Sequence, residues 1–186
     1  MEILPNEEVP TGEVIIKTKR EKFQFYTSDV KEVETIATSD ETLAKKAECF
    51  VAGGGKIIAT GKSGLDKNHT RFMLDCLGIK YVGEAPFSPD FIMPNDIIGK
   101  KLPKTEHVMY LKGEQVEAEE GIVLADTYVP YFNRTWQHFC SHRHTPSCHE
   151  KGYPAVVKNG DCIYFMHPLF SIYQSKHPRW CREMMK

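Results

Sequence analysis

The sequence predicts an α/β fold whose sheet has parallel members, with β-hairpins added in its second half. Three observations carry this. Between residues 39 and 83, apolar residues recur at helical spacing, then as a short continuous run, and then repeat that order. That is the helix, strand, helix, strand alternation of a parallel sheet. The run KIIAT at 56–60 has the continuous apolar character of a strand covered on both faces. Beyond residue 106 nearly every apolar run is strand-like.

The elements follow in order. EVIIKT at 13–18 and KFQFY at 22–26 are β-rich runs split by Lys19-Arg20-Glu21, predicting a hairpin or two short strands. Ser39 or Asp40 is placed to cap a helix, with Glu41 in its first turn and Leu43, Ala44, Ala47, Phe50 and Val51 as the apolar face. Gly53-Gly54-Gly55 ends it and the strand at 56–60 follows. A second helix is expected over 67–77 with Phe72, Met73, Leu74 and Leu77 as its apolar positions, ending at Gly78 and leading to a strand at 79–83. The proline-rich APFSPDFIMP at 85–94 reads as a long surface loop. Strands are expected at 107–111, 122–129, 154–158 and 161–166. Asn159-Gly160 carries the signal of a type I′ hairpin between the last two. PRWCREMMK at 178–186 begins a helix behind a proline and stops early, so the chain reads as cut from something longer.

A chain of 186 residues is long enough for one domain with a real core. A formal net charge of -1 gives no electrostatic reason for a nucleic-acid or membrane partner. No apolar run reaches the roughly 18 residues of a membrane span. The N-terminus MEILPNEEVP is acidic where a leader would be basic, which predicts either a cytoplasmic location or a leader outside this sequence. The six cysteines have no repeating spacing and are expected as free thiols.

Motifs near Gly61-Lys62-Ser63-Gly64 fail on spacing. A phosphate loop would need glycine at position 56, which is lysine, and a nucleophile elbow around Ser63 is one residue short. WQHFCSHRHTPSCHE at 136–150 is denser, with four histidines and two cysteines. His138, Cys140, His142 and His144 would share one side of an extended strand, donors that zinc accepts. Such a row spans roughly 20 Å, so only a bend near Thr145-Pro146 would bring Cys148 or His149 to the same ion. The plainer reading is a polar loop whose rings stack and hydrogen-bond locally. Just upstream, Asp126 sits among Tyr128, Tyr131, Phe132 and Trp136, an aromatic group suited to an interface or to stacking on sugar faces. Asn68-His69-Thr70 and Asn133-Arg134-Thr135 match the glycosylation sequon.

Taken together, ETLAKKAECFVAGGGKIIATGKSGLD (41–66), FCSHRHTP (139–146) and YPAVVKNGDCIYFMHPLFSIYQ (153–174) resemble the β-galactosidase trimerisation domain. That domain is a relative of class I glutamine amidotransferases with a flavodoxin-like fold. The form it resembles occurs in bacterial glycoside hydrolases related to family 42 β-galactosidases and α-fucosidases. The resemblance covers residues 39–186, truncated in the last helix; residues 1–38 are poorly matched. It implies a flavodoxin-like sheet with helices on both faces. It further implies a domain that has lost the amidotransferase cysteine, with Ser63 near its place, and that holds subunits together as a trimer or dimer. A (β/α)8 barrel, absent here, would carry the catalytic carboxylates and the sugar. Tyr128, Tyr131, Trp136, His142, Arg143 and His144 then become contact or substrate-lining residues, with no cofactor. Two alternatives stand beside this. One is a zinc-stabilised module using His138, Cys140, His142, His144, Cys148 and His149; the other is a degenerate hydrolase using Cys140 or Cys148.

Overall fold

The computed structural model describes residues 41–186, so the strands expected at 13–26 and the cap at 39–40 lie outside the described residues. A helix, α1 (Glu41–Ala52), leads into strand β1 (Ile57–Thr60). After a 3-10 turn (Asp75–Leu77) come β2 (Ile79–Glu84), β3 (Asp90–Pro94), β4 (His107–Met109), β5 (Glu114–Ala118), β6 (Ile122–Pro130), β7 (Ser147–Asn159) and β8 (Cys162–Phe165). Two short helices, α2 (Leu169–Lys176) and α3 (Arg179–Met184), close the order. Six strands form one sheet in the order β1-β8-β7-β6-β3-β4, while β2 and β5 pair separately. Among the described residues only β1 and β8 run parallel; the remaining pairings are antiparallel. The fold is mixed α/β as expected, but its described sheet is mostly antiparallel and its helices are few.

The expected helix at 67–77 does not form, and the reason is local. Asp66 takes the backbone for itself: its carboxylate accepts the Thr70 N–H (2.6 Å), the Thr70 hydroxyl (2.6 Å) and the Arg71 N–H (3.4 Å). Short polar side chains compete with helical hydrogen bonding in this way. Leu65 bridges Phe72 instead, and the Phe72 ring packs edge-on against Tyr81 and Tyr164. Within 67–77 only residues 75–77 are helical, as a single 3-10 turn ended by Gly78 at φ 63°, where a Cβ would lie 2.7 Å from Asn159 Nδ2. The chain therefore enters β2 beside β5 rather than joining a parallel sheet.

Three strands depart from the sequence reading: β3, β5, and β7, which begins at Ser147 rather than at the expected 154. Residues 90–94, expected within a surface loop, form β3 between β4 and β6, with Phe91 and Ile92 buried. Its prolines flank that apolar pair rather than interrupt it, as a strand tolerates. β5, EQVEA, lies where the sequence analysis placed no element, and it pairs with β2. The hairpin at Asn159-Gly160 is present, but its central residues are Gly160 and Asp161. Of these only Gly160 (φ 53°) is left-handed, so it is not the type I′ turn expected.

Polar groups join the layers. Asp90 at the start of β3 accepts from His167 Nε2 at 2.6 Å and from the Tyr153 hydroxyl at 3.1 Å, so both carboxylate oxygens are satisfied. Asp90 and His167 side chains are each 2% exposed. On the other side, Glu114 begins β5, takes the Tyr81 hydroxyl (2.7 Å), and lies 3.7 Å from Lys62. Its backbone N–H donates to Met166, which ties the two-stranded sheet to the main one.

Replacing His167 by Ala is expected to cost about 1–3 kcal/mol, the penalty for leaving a buried carboxyl oxygen without its hydrogen-bond partner. Tyr153→Phe should cost about 1–2 kcal/mol, because one bond to Asp90 survives; urea unfolding of each variant checks both. Burial pushes the Glu114 carboxyl above its usual value of 4.5. The folded state thus holds this proton more tightly than the unfolded chain, and stability present below pH 4.5 is lost as pH rises through the folded value. Glu114→Gln should equal or exceed the parent in melting temperature at pH 7, with the advantage shrinking as pH falls toward that of the unfolded carboxyl.

Candidate functional site

The connection from β6 to β7, residues 131–146, carries five of the six contact residues that the sequence singled out. It projects from the sheet as an aromatic and cationic loop. From Tyr131 to Pro146 there is no acidic residue, while Arg134, Arg143 and three histidines fall within the loop. Trp136 is 86% exposed, Phe139 72% and Tyr131 67%. Rings so far out contribute little to the fold, which makes them informative about contact.

The loop is braced at several levels. At its base, Tyr131 N–H donates to Pro146 O (3.1 Å) across the two limbs. Arg134 Nη1 donates to the Arg143 carbonyl at 2.6 Å, a second tie between them. At the tip, Thr135 and His138 bond reciprocally: Thr135 N–H to His138 O (2.8 Å), and His138 N–H to Thr135 Oγ1 (3.0 Å). That turn presents Trp136. Along the returning limb, Arg143 lies over the Tyr110 ring at 5.2 Å, and the His144 ring meets Phe91 and Tyr110 edge-on at 5.7 and 6.3 Å. Trp180 of α3 extends the same stack, lying 6.3 Å from Tyr110 and 5.7 Å from His107, and donating to Val108 O (3.2 Å). Tyr110 and Trp180 are the base of the loop, and nothing in their sequence neighbourhood signals it.

Each expected site residue can now be placed. Tyr131, Trp136, His142 and Arg143 lie on the exposed loop and His144 is half-buried at its base. Tyr128 does not join them; it is half-buried within β6, opposite Phe91 and Lys151. The alternative zinc set is dispersed. Cys140 Sγ donates to the His144 carbonyl (3.4 Å), Cys148 Sγ to Val129 O (3.2 Å), and His149 Nδ1 meets Glu106 at 2.8 Å. Among the described residues, no three His, Cys, Asp or Glu side chains gather as metal ligands would. The same contacts bear on cysteine chemistry, since an activated thiol needs a base at its sulfur and these thiols face backbone carbonyls. Ser63 is buried, and Lys62 beside it is taken up by Glu84 (3.5 Å) and Glu114 (3.7 Å).

No protein-family model matches the chain, and no curated protein matches it either. Solved structures do. α-L-Fucosidase isoenzyme 2 from Paenibacillus thiaminolyticus is similar with 37% identity and a TM-score of 0.75, over 80% of this chain and 22% of the fucosidase. The chain resembles one part of a glycoside hydrolase. An exo-β-1,4-mannosidase from Opitutaceae bacterium strain TAV5 is similar at 11% identity and TM-score 0.50, over 94% of this chain and 29% of that one, a likeness of fold alone. A β-galactosidase from Bacillus circulans sp. alkalophilus aligns at 20% identity and TM-score 0.49, over 81% and 22%. This chain thus spans less than a third of each of these proteins. No helix among the described residues is long and apolar enough to cross a membrane.

The two kinds of loop residue should separate by mutation. His144→Ala removes a ring wedged between two aromatics and should cost about 1–2 kcal/mol in urea unfolding. His142→Ala, on the exposed side, should change stability by less than about 0.5 kcal/mol.

Proposed function

We propose that this chain is a non-catalytic assembly part of a larger glycoside hydrolase, and that loop 131–146 is its contact element. The observation that carries this is the loop itself: three aromatic rings more than two-thirds exposed, held out on limbs tied to each other and to the sheet. Exposed aromatics with arginines beside them are the composition of interface centres. The likeness to the fucosidase over 22% of that enzyme's length supports a partial role.

The partner is a second copy of the protein, forming a dimer or trimer. In that setting Trp136 and Tyr131, with His142 and Arg143, line a neighbouring subunit's sugar site, where rings stack on pyranose faces and cations meet hydroxyls and carboxylates. Glycoside hydrolysis requires two positioned carboxylates flanking the bond. Asp90 is sealed by His167 and Tyr153, and Glu114 by Tyr81 and burial, so neither supports that role. The parallel β1–β8 pair, with α1 leading into β1, supports a flavodoxin-like arrangement for that end of the sheet. No metal is part of this function.

A native mass spectrum tests the reading directly. A metal-free dimer or trimer is expected; a monomer carrying one zinc per chain would overturn it. Trp136→Ala should weaken self-association by about 30-fold, the weight of an aromatic hot spot. Its melting temperature should stay within about two degrees, since the ring packs on little.

A further inference from the structure

Asn133 opens Asn-Arg-Thr, a sequon by pattern, yet both ends of its carboxamide are engaged. Oδ1 accepts the N–H of Ser88 at 3.0 Å, and Nδ2 donates to the carbonyl of Pro86 at 2.7 Å. One side chain thereby pairs with the backbone of a distant segment much as a neighbouring strand would. The segment it grips is firm ground. Ala85 is fully buried and its N–H donates to Gly113 O at 3.0 Å, while Asp90, two residues beyond Ser88, is locked by His167 and Tyr153.

The next residue continues the brace. Arg134 reaches across to the Arg143 carbonyl, and Arg143 in turn lies over Tyr110. Asn133 is thus where the outgoing limb is fixed to the body of the protein, and Arg134 passes that restraint to the returning limb. Trp136 and Phe139 lie beyond both ties and face solvent.

We infer that Asn133 is the positioning residue of loop 131–146: its carboxamide, paired with Pro86 and Ser88, holds the exposed rings in a preformed direction. A loop already ordered loses less freedom when it docks, so the partner meets a ready surface. The consequence for docking rests on the reading of this loop as the contact element; the positioning itself does not.

Amide hydrogen exchange on the full chain, followed by peptide mass spectrometry, reads the restraint. Asn133→Ala should speed exchange within 131–146 on the order of tenfold, the effect of removing two solvent-accessible hydrogen bonds, and leave β7 and β8 protected. Asn133→Asp keeps the acceptor for Ser88 and loses the donor to Pro86, so a smaller acceleration is expected; it carries the test should the alanine variant fold poorly. Unchanged exchange in the loop, or acceleration spread evenly over the sheet, overturns the inference. Self-association measured on the same samples separates the two ideas. A loosened loop with unaltered association supports positioning and removes the contact reading. Weakened association with no loosening overturns positioning.

Discussion

Burying a carboxylate is costly unless every lone pair finds a donor, and Asp90 meets that condition from two directions. His167 approaches from the turn between β8 and α2, and Tyr153 from β7. Three segments far apart in sequence must converge before the charge is satisfied. Their convergence fixes where β3 begins. The strand order depends on it, because β3 lies between β4 and β6, and its first residue is the one so held. The segment just before Asp90 is the one that anchors the outer loop. A buried polar group thus sets the position of an exposed surface.

The β6–β7 pair transmits that restraint in a different way. Its register shifts repeatedly along its length, as strands do when bulges bend and twist a ladder. Where the regular ladder lapses, Thr127 takes over: its hydroxyl accepts the Tyr153 N–H at 2.8 Å and donates to the Tyr153 carbonyl at 2.9 Å. Gly152 is required beside it, since a Cβ there would stand 2.6 Å from Thr127 Oγ1. These local repairs let two long strands curl without leaving buried backbone groups unpaired. Loop 131–146 connects the two strands of that curled pair.

Local patterns were legible where local forces decide. The helical spacing of Ala44 and Ala47, the apolar run at 57–60, and the turn near Gly160 all appear close to where the sequence puts them. The segment 67–77 misled because its apolar positions fit a helix, while Asp66 offered the backbone better acceptors. β5 was not anticipated; in the fold its Glu114 is met by Tyr81 and Lys62. Tyr131, Trp136, His142 and Arg143, singled out from the aromatic group, the histidine-rich stretch and the family resemblance, are exposed on loop 131–146. The supporting roles of Tyr110, Trp180 and Asn133 could not be read in this way, because each acts on residues tens of positions away.

The sequence by itself determined a mixed α/β chain with an aromatic, histidine-rich segment and no spacing suited to a phosphate loop or nucleophile elbow. These follow from residue type and period, which act over a few positions. Tertiary structure alone decided that, among the described residues, only β1 and β8 run parallel, that Cys140 and Cys148 donate to backbone carbonyls, and that the aromatic rings stand outward on a braced loop. The physical reason is range. Strand pairing, burial of Asp90 and the grip of Asn133 on Pro86 and Ser88 are contacts between distant segments, and no window of neighbouring residues contains both partners.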